Sequence, residues 1–371
     1  MNAIDEIPQE LQSLSMEELR SRIDEADRAI VAAINQRLHL ARAIGEIKKG
    51  KNLPVVDLPR ERAVLARLAE LNTGPLPQET LRYVYTEIMA ASRRIQKPMK
   101  VAYLGPEATF THLAAMNHFG QATTFVPQAT IRDVFDEVEK KNSNFGVVPV
   151  ENSIEGAVNH TLDLFQTSEL LICAEIYTPI SHDLLSRETG PDQVKVIYSH
   201  PHAFPQCREW LRRHMPSVRL EECRSTSEAA QKAAKTPGSA AIAGSQAALV
   251  YDLLVLASHI QDSAHNVTRF LVIGDERAPR TGRDKTSLVF ATAHVPGALY
   301  HALAPIAASG VNMVKLESRP SKSASWHYQF FVDVEGHMED PPVAEVYRKM
   351  QETCAFIKSL GSYPQADANA G

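Results

Sequence analysis

Cysteine is scarce and scattered in this sequence. Cys173, Cys207, Cys223 and Cys354 form no CxxC pair, which argues against thiolate zinc frameworks and a disulfide scaffold and leads us to expect reduced thiols in a cytoplasmic protein. Long apolar runs are missing too, and none approaches the roughly 18 residues that a membrane helix needs. The opening MNAIDEIPQE is acidic and lacks the basic-then-apolar order of a signal peptide. No excess of positive charge is present: 39 Lys and Arg stand against 44 Asp and Glu, a net charge of −5, so neither a nucleic acid nor a membrane is an expected partner. G-x-G-x-x-G and P-loop patterns are absent, which leaves nucleotide binding unsupported. His200 and His202 have no cysteine or carboxylate partner close in sequence, so no metal and no cofactor is expected. What remains is ordinary for a globular chain, 44% hydrophobic and 22% charged over 371 residues, long enough for two or three domains.

Three textures follow one another. From Met16 to about Gln96 the pattern is helical: one long periodic run to Lys49-Gly50, a second helix over Leu58–Leu71, the break Asn72-Thr73-Gly74-Pro75, and a third helix from Pro77. Lys97-Pro98 marks a switch. Short apolar runs (VAYLG, TTFVP, FGVVPV, then VKVIYSHP, RLEECRS, SAAIAG) then alternate with helical stretches, including one expected over Phe204–His214. Two strand–helix series predict α/β layers in two lobes with a cleft between them, and sites at strand C-terminal ends. From Lys285 the order strand–helix–strand–strand–helix–strand predicts a ferredoxin-like α+β unit. The expected division is 11–97, 100–277 and 285–364.

The long first helix poses a question of charge. Ile23, Ile30, Arg37 and Ile44 recur every seven residues, and beside them run Ile34, Ala41 and Lys48. An unpaired cation buried in a helix seam costs several kcal/mol. Either the helix is rotated so that Arg37 and Lys48 snorkel at the edge, or an anion faces them. Their separation, about 16 Å along the axis, suits a small dicarboxylate. Arg20 lies about 100° off that face and would serve a neighbouring subunit. LRSRIDEADRAIVAAINQRLHLARAIGEIKK followed by PVVDLPRERAVLARL resembles the all-helical chorismate mutase family, an intertwined dimer whose first helix crosses into the partner. The resemblance implies a substrate site at Arg20, Arg37, Lys48, Asp57, Arg60, Glu61, Ser92 and Gln96. It implies that Arg37 and the partner's Arg20 hold the carboxylates of chorismate. Lys48 and Gln96 would donate to its ether oxygen, and Glu61, with the Asp57 backbone, would take its ring hydroxyl.

In the middle segment FGVVPV ends abruptly in Glu151-Asn152-Ser153, which reads equally as a site at a strand end or as an ordinary helix cap. YSHPHAFPQC repeats the arrangement, with Ser199 and then Gln206, and NVTRFLVIG places Thr268 and Arg269 at a strand start. Together YLGPEATFTHLAA, VVPVENSIEGAVNHTLDL, YSHPHAFPQC, STSEAA, AAIAGSQAA and NVTRF resemble prephenate dehydratase, over about Lys100 to Gly274. That resemblance implies two lobes like those of periplasmic binding proteins and functional positions at Glu151, Asn152, Ser199, Gln206, Thr268, Arg269 and Phe270, with Thr109 and Thr111 in the first loop. Arg269 suits a substrate carboxylate through its planar fork or else holds the lobes together. Ala108 stands where the family often has glycine, so this loop is expected to take a different shape.

PGALYHALAPIAASGVNMVKLESRP resembles an ACT regulatory domain, which implies phenylalanine at a subunit interface touching Gly297, Ala298, Leu299, Asn312, Glu317, Ser318 and Arg319. The whole chain thus resembles the bifunctional chorismate mutase–prephenate dehydratase family. That implies chorismate and prephenate as substrates, phenylalanine as effector, and a homodimer or higher homo-oligomer. The alternatives are a dehydratase whose mutase-like head only dimerises, and a non-catalytic amino-acid sensor.

Overall fold

The structure is a computed structural model that describes residues 8–51, 58–96, 98–263, 265–320 and 328–366. The chain divides into two compact units. One holds residues up to Met99 together with Met116–Thr124; the other holds Lys100–Ala115 and Phe125 onward.

The first unit is helical. A short helical turn over Gln9–Gln12 precedes the helix Met16–Gly50. Ser15 opens that helix with a capping box: its hydroxyl accepts from the Glu18 amide, and Glu18 reaches back to the Ser15 amide at 2.8 Å. Helices Leu58–Leu71 and Gln78–Gln96 complete the unit. Burial concentrates on Gln78–Gln96, at Met89, Ala90, Ser92 and Arg93. The long helix buries only Gly45 among its residues. Its apolar stripe stands open, with Ile23 at 58%, Ile30 at 56% and Ile44 at 51% exposure. A helix patterned this way has a face that one chain leaves uncovered.

The second unit contains three sheets. The first runs Thr124–Gln128, Lys100–Leu104, Phe145–Asn152, Val267–Gly274, Leu171–Pro179. Lys100–Leu104 lies parallel to Phe145–Asn152, whereas Val267–Gly274 is antiparallel to both its neighbours. The second runs Leu254–Ala257, Asp183–Ser186, Ser239–Ala243, Val196–Ser199, Arg219–Glu222. The third is an antiparallel sheet ordered Met313–Pro320, Tyr328–Glu335, Asp284–Ala291, Phe356–Pro364. With helices Ala298–Ala308 and Pro341–Thr353 it follows the chain order strand–helix–strand–strand–helix–strand.

The third sheet packs on the first. Val150, Ile172 and Leu271 share one core with Val289, Phe331, Leu360 and Tyr363. Gly361 marks the closest approach: a Cβ there would lie 2.6 Å from the Ile172 carbonyl oxygen, and its φ of 129° favours glycine. Two sequence expectations change. The helix expected over Phe204–His214 is two short ones, Ala203–Gln206 and Arg208–His214. Asp262 accounts for the restart, because its carboxylate accepts from the amides of Glu209 and Trp210 at 2.9 and 3.2 Å. The strands Leu171–Pro179, Asp183–Ser186 and Leu254–Ala257 add to those the sequence pattern predicts. The first two are buried on both faces and carry no clean alternation.

Candidate functional site

A cleft of about 680 Å³ opens between the first two sheets. Register builds its centre: in the antiparallel pair Phe145–Asn152 and Val267–Gly274, Thr268 lies directly opposite Asn152. The Asn152 amide nitrogen donates to the Thr268 hydroxyl at 2.8 Å and to Asn266 Oδ1 at 2.7 Å. Its carbonyl accepts from the amides of Ile154 and Glu155 at 2.9 and 3.0 Å, which fixes the orientation of the carboxamide. Thr268 is buried and receives a hydrogen bond, so its own proton is available to the cleft; no acceptor for it is found among the described residues.

The network continues outward. Asn266 donates to Gln206 Oε1 at 2.8 Å, and Gln206 donates to Glu155 at 3.0 Å. His182 Nε2 also meets Gln206 Oε1, at 2.9 Å. That oxygen can only accept, so Nε2 carries the proton. Burial pulls the His182 pKa below its ordinary value, partly offset by this bond, and the ring enters the network as a neutral donor. His202 meets the other Glu155 oxygen at 2.5 Å.

Two helix starts face the cleft. Thr109, Phe110 and Thr111 line it at the head of Phe110–Phe119, and Ser225 and Thr226 at the head of Thr226–Ala233. Aligned amides there favour a bound anion. Arg224 adds a cation on the rim, paired with Glu228 at 3.3 Å.

The expected residues separate by strand parity. Asn152, Gln206, Thr268, Phe270, Thr109 and Thr111 line the cleft. Glu151 and Arg269 do not. Adjacent strand residues point to opposite faces, and these two point toward the third sheet. The Arg269 guanidinium is buried, donating to Glu175 at 2.9 Å, Asp333 at 2.7 Å and the Tyr363 hydroxyl at 2.8 Å. Glu151 accepts from Lys315 at 2.6 Å. Lys285 also donates to Glu175, at 2.9 Å. The structure supports neither option open for Arg269: it meets protein groups away from the cleft, and it ties the first sheet to the third instead of one lobe to the other. Ser199 also lies off the cleft lining: it is fully buried and donates to the Ile242 carbonyl at 2.8 Å, bracing the strand end.

In the loop expected to differ at Ala108, that residue has a left-handed backbone, with φ 63°. Its amide donates to His112 Nδ1 at 3.2 Å, and the Thr109 hydroxyl donates to the Leu104 carbonyl at 3.0 Å. His182, Asn266, Glu155, Arg224, Ser225 and Thr226 join the site without having been expected there. Asn266 and the 225–226 pair sit inside quoted motifs; His182 has no sequence signal.

In the helical unit Arg37 is half-buried and donates to Ser92 Oγ at 2.7 Å, and the Ser92 hydroxyl donates in turn to the Ile88 carbonyl at 2.8 Å. Gln96 lies against Gly45, where a Cβ would meet its Cγ at 2.7 Å, and its Oε1 is buried with no partner among the described residues. Lys48 is half-buried and Arg60 exposed. Glu61 is engaged by Arg93 at 2.5 Å, a residue the sequence pattern does not single out. Arg20 is exposed, and 17 positions of helix, about 26 Å, separate it from Arg37. Asp57 lies outside the described residues.

In the third sheet Gly297 caps the helix Ala298–Ala308 at φ 80°. With Ala298 and Leu299 it lines a hollow of about 270 Å³ that also takes in Tyr300, Tyr328 and Phe330. Asn312 lines a different hollow, beside Glu335 and Pro341. Glu317, Ser318 and Arg319 lie on the edge strand Met313–Pro320 and do not join the first hollow. Arg319 meets Asp163 at 3.4 Å.

Comparisons bear on both units. The family model for chorismate mutase type II matches residues 19–97, and that for prephenate dehydratase matches residues 101–278. A bifunctional chorismate mutase/prephenate dehydratase from Aquifex aeolicus is 47% identical over 355 residues, covering 95% of this chain and 98% of the relative. One of the same description from Escherichia coli K12 is 32% identical over 371 residues, covering 93% of this chain and 95% of the relative. Among solved structures, prephenate dehydratase from Arthrobacter aurescens in complex with L-Phe superposes with a TM-score of 0.68 at 34% identity, over 73% of this chain and 91% of that one. The chain belongs to the bifunctional chorismate mutase/prephenate dehydratase family.

Proposed function

We propose that this chain performs two consecutive reactions, chorismate to prephenate in the helical unit and prephenate to phenylpyruvate in the cleft of the α/β unit, and that phenylalanine inhibits it. The observation that carries the reading is the hydrogen bond from Asn152 to Thr268, which turns the threonine proton toward a cleft flanked by two helix starts.

Prephenate is a dianion. In the cleft the helix starts at 109–111 and 225–226, with Arg224, would receive its carboxylates. The ring carboxylate leaves as carbon dioxide; its bonding pair flows into the ring and expels the ring hydroxyl, which takes up one proton and departs as water. Thr268 orients and donates to that leaving oxygen. A threonine hydroxyl is a weak acid, so the donor that polarises it matters, and Asn152 supplies that bond. Asn266 accepts from Asn152, and Gln206, steadied by His182, holds Asn266 in place. Chorismate rearranges within itself and requires only a folded conformation and charge stabilisation at the breaking ether bond. Arg37, Lys48 and Gln96 suit that role, with Glu61 accepting from the ring hydroxyl.

The mutase site is shared between two chains. The open stripe at Ile23, Ile30 and Ile44 needs a cover, and Arg20, about 26 Å along the helix from Arg37, lies too far away to join it within one chain. The 285–364 segment is an ACT domain, 100–277 a dehydratase with periplasmic-binding-protein-like lobes, and 11–97 the mutase head. Phenylalanine would sit where Gly297–Leu299 of one copy meets Glu317–Arg319 of another along the edge strand. The Arg269–Asp333 and Glu151–Lys315 pairs give that event a route to the strands bearing Thr268 and Asn152. Four free cysteines are consistent with a cytoplasmic setting. The direct experiment feeds purified protein chorismate and follows prephenate and phenylpyruvate with and without phenylalanine. Prephenate accumulating without phenylpyruvate would refute the second half, and no turnover of chorismate the first.

A further inference from the structure

We infer that Arg93 is a positioning residue of the mutase site, and that it is held by a segment lying beyond the mutase part of the sequence. This rests on the reading of Glu61 as the acceptor for the substrate hydroxyl.

The geometry is a buried fork. Arg93 is 4% exposed. One terminal nitrogen contacts both carboxylate oxygens of Glu61, each at 2.5 Å, and the other donates to the Phe119 carbonyl. A guanidinium this deeply buried requires an anion, and Glu61 is the carboxylate in contact. The pairing fixes the Glu61 rotamer on helix Leu58–Leu71 from the facing helix. A carboxylate has about four acceptor positions, so Glu61 still has capacity for a substrate hydroxyl.

Arg93 is aimed from an unusual direction. Phe119 lies outside the match to chorismate mutase and inside the match to prephenate dehydratase. The 119–121 stretch is built against helix Gln78–Gln96. The Gln121 amide donates to Glu87 at 2.9 Å, and the Gln121 side chain donates to the Tyr83 hydroxyl at 3.1 Å. Gly120 has φ 78°, and a Cβ there would strike the Ala90 Cβ at 2.6 Å. Beside it, burial together with Arg62 and Arg93 pushes His118 down to about 3, so the imidazole stays neutral and offers Glu61 no competing cation. The Glu61 carboxylate is thus oriented by a dehydratase-side carbonyl acting through Arg93.

Arg93→Ala, Arg93→Lys, Glu61→Gln and the Arg93→Ala/Glu61→Gln pair in the full chain test this. Mutase kcat and KM are measured with chorismate, dehydratase turnover with supplied prephenate, and thermal unfolding on each preparation. Misplacing one substrate contact should cost roughly 10- to 100-fold. Arg93→Ala is expected to lose that much in mutase kcat with dehydratase turnover within about twofold. Arg93→Lys should show a comparable loss, because a single nitrogen cannot occupy the two separate positions from which the guanidinium fork reaches Glu61 and the Phe119 carbonyl; it carries the test if Arg93→Ala fails to fold. The double variant should be no worse than Glu61→Gln alone. Arg93→Lys at wild-type mutase rate while Glu61→Gln is impaired overturns the inference alone. A double loss equal to the product of the single losses also overturns it. Glu61→Gln at wild-type rate overturns the Glu61 reading and the inference with it.

Discussion

The cleft of the α/β unit and the charged seam of the helical unit differ in one respect: the first links its polar groups in a continuous run within one chain, leaving His182 Nδ1 and the Thr268 proton without partners among the described residues, whereas the second leaves a whole helix face open. Around Thr268 the donors Asn152, Asn266 and Gln206 find their acceptors within one chain, in a run that ends on Glu155. In the helical unit Arg37 and Ser92 meet, yet Gln96 Oε1 is buried without a partner among the described residues, and the apolar stripe of the long helix is open. A buried orphan acceptor is costly. The difference teaches that unsatisfied groups mark where each site is still open: His182 Nδ1 and the Thr268 hydroxyl in the cleft, Gln96 Oε1 and an uncovered helix face in the helical unit.

The largest effect that separates the two regions is expected from Thr268→Ala. Phenylpyruvate formation from prephenate should fall about 10²- to 10⁴-fold while chorismate turnover stays within about twofold, as a coupled assay on one preparation would read. Arg37→Ala should do the reverse, lowering mutase kcat/KM by about 10²- to 10³-fold and sparing the dehydratase. Parallel loss of both activities in either variant would erase the distinction.

Next in size is the tie between the first and third sheets. Burial raises the Asp333 carboxyl, but Arg269 and a hydrogen bond from Ser287 outweigh it, and the net direction is down. A depressed carboxyl contributes stability that is present above its unfolded value and disappears as pH falls through the folded one. Asp333→Asn should therefore cost about 2–3 kcal/mol near neutral pH, with the gap from wild type shrinking below about pH 4; urea unfolding near neutral pH and again in acid measures both. The smallest effect belongs to Ala108, held left-handed at φ 63°. Ala108→Gly should relieve about 1 kcal/mol of backbone strain and raise the melting temperature slightly, with cleft chemistry unchanged.

Much of this is legible in the sequence, for physical reasons that differ by region. The helix Met16–Gly50 carries its own period, cap and charge. Thr268, Asn152 and Gln206 stand at strand and helix ends inside specific motifs. Strand parity assigns Glu151 and Arg269 to the face away from Asn152 and Thr268, and the one-residue offset that decides it is written in the order Glu151-Asn152 and Thr268-Arg269. His182 is not foreseeable, because it reaches Gln206 only through pairings distant in sequence. The buried strands Leu171–Pro179 and Asp183–Ser186 lack an alternating pattern, so periodicity does not find them.

The proposal that two chains share the helical site is tested most directly by mixing two inactive proteins. Arg20→Ala and Arg37→Ala chains, each without mutase activity, are combined and allowed to exchange subunits. If each site takes Arg37 from one chain and Arg20 from the other, random pairing restores about one site in four, and mutase activity returns toward a quarter of wild type. If both arginines act within one chain, mixing restores nothing, and the account of the helical unit fails.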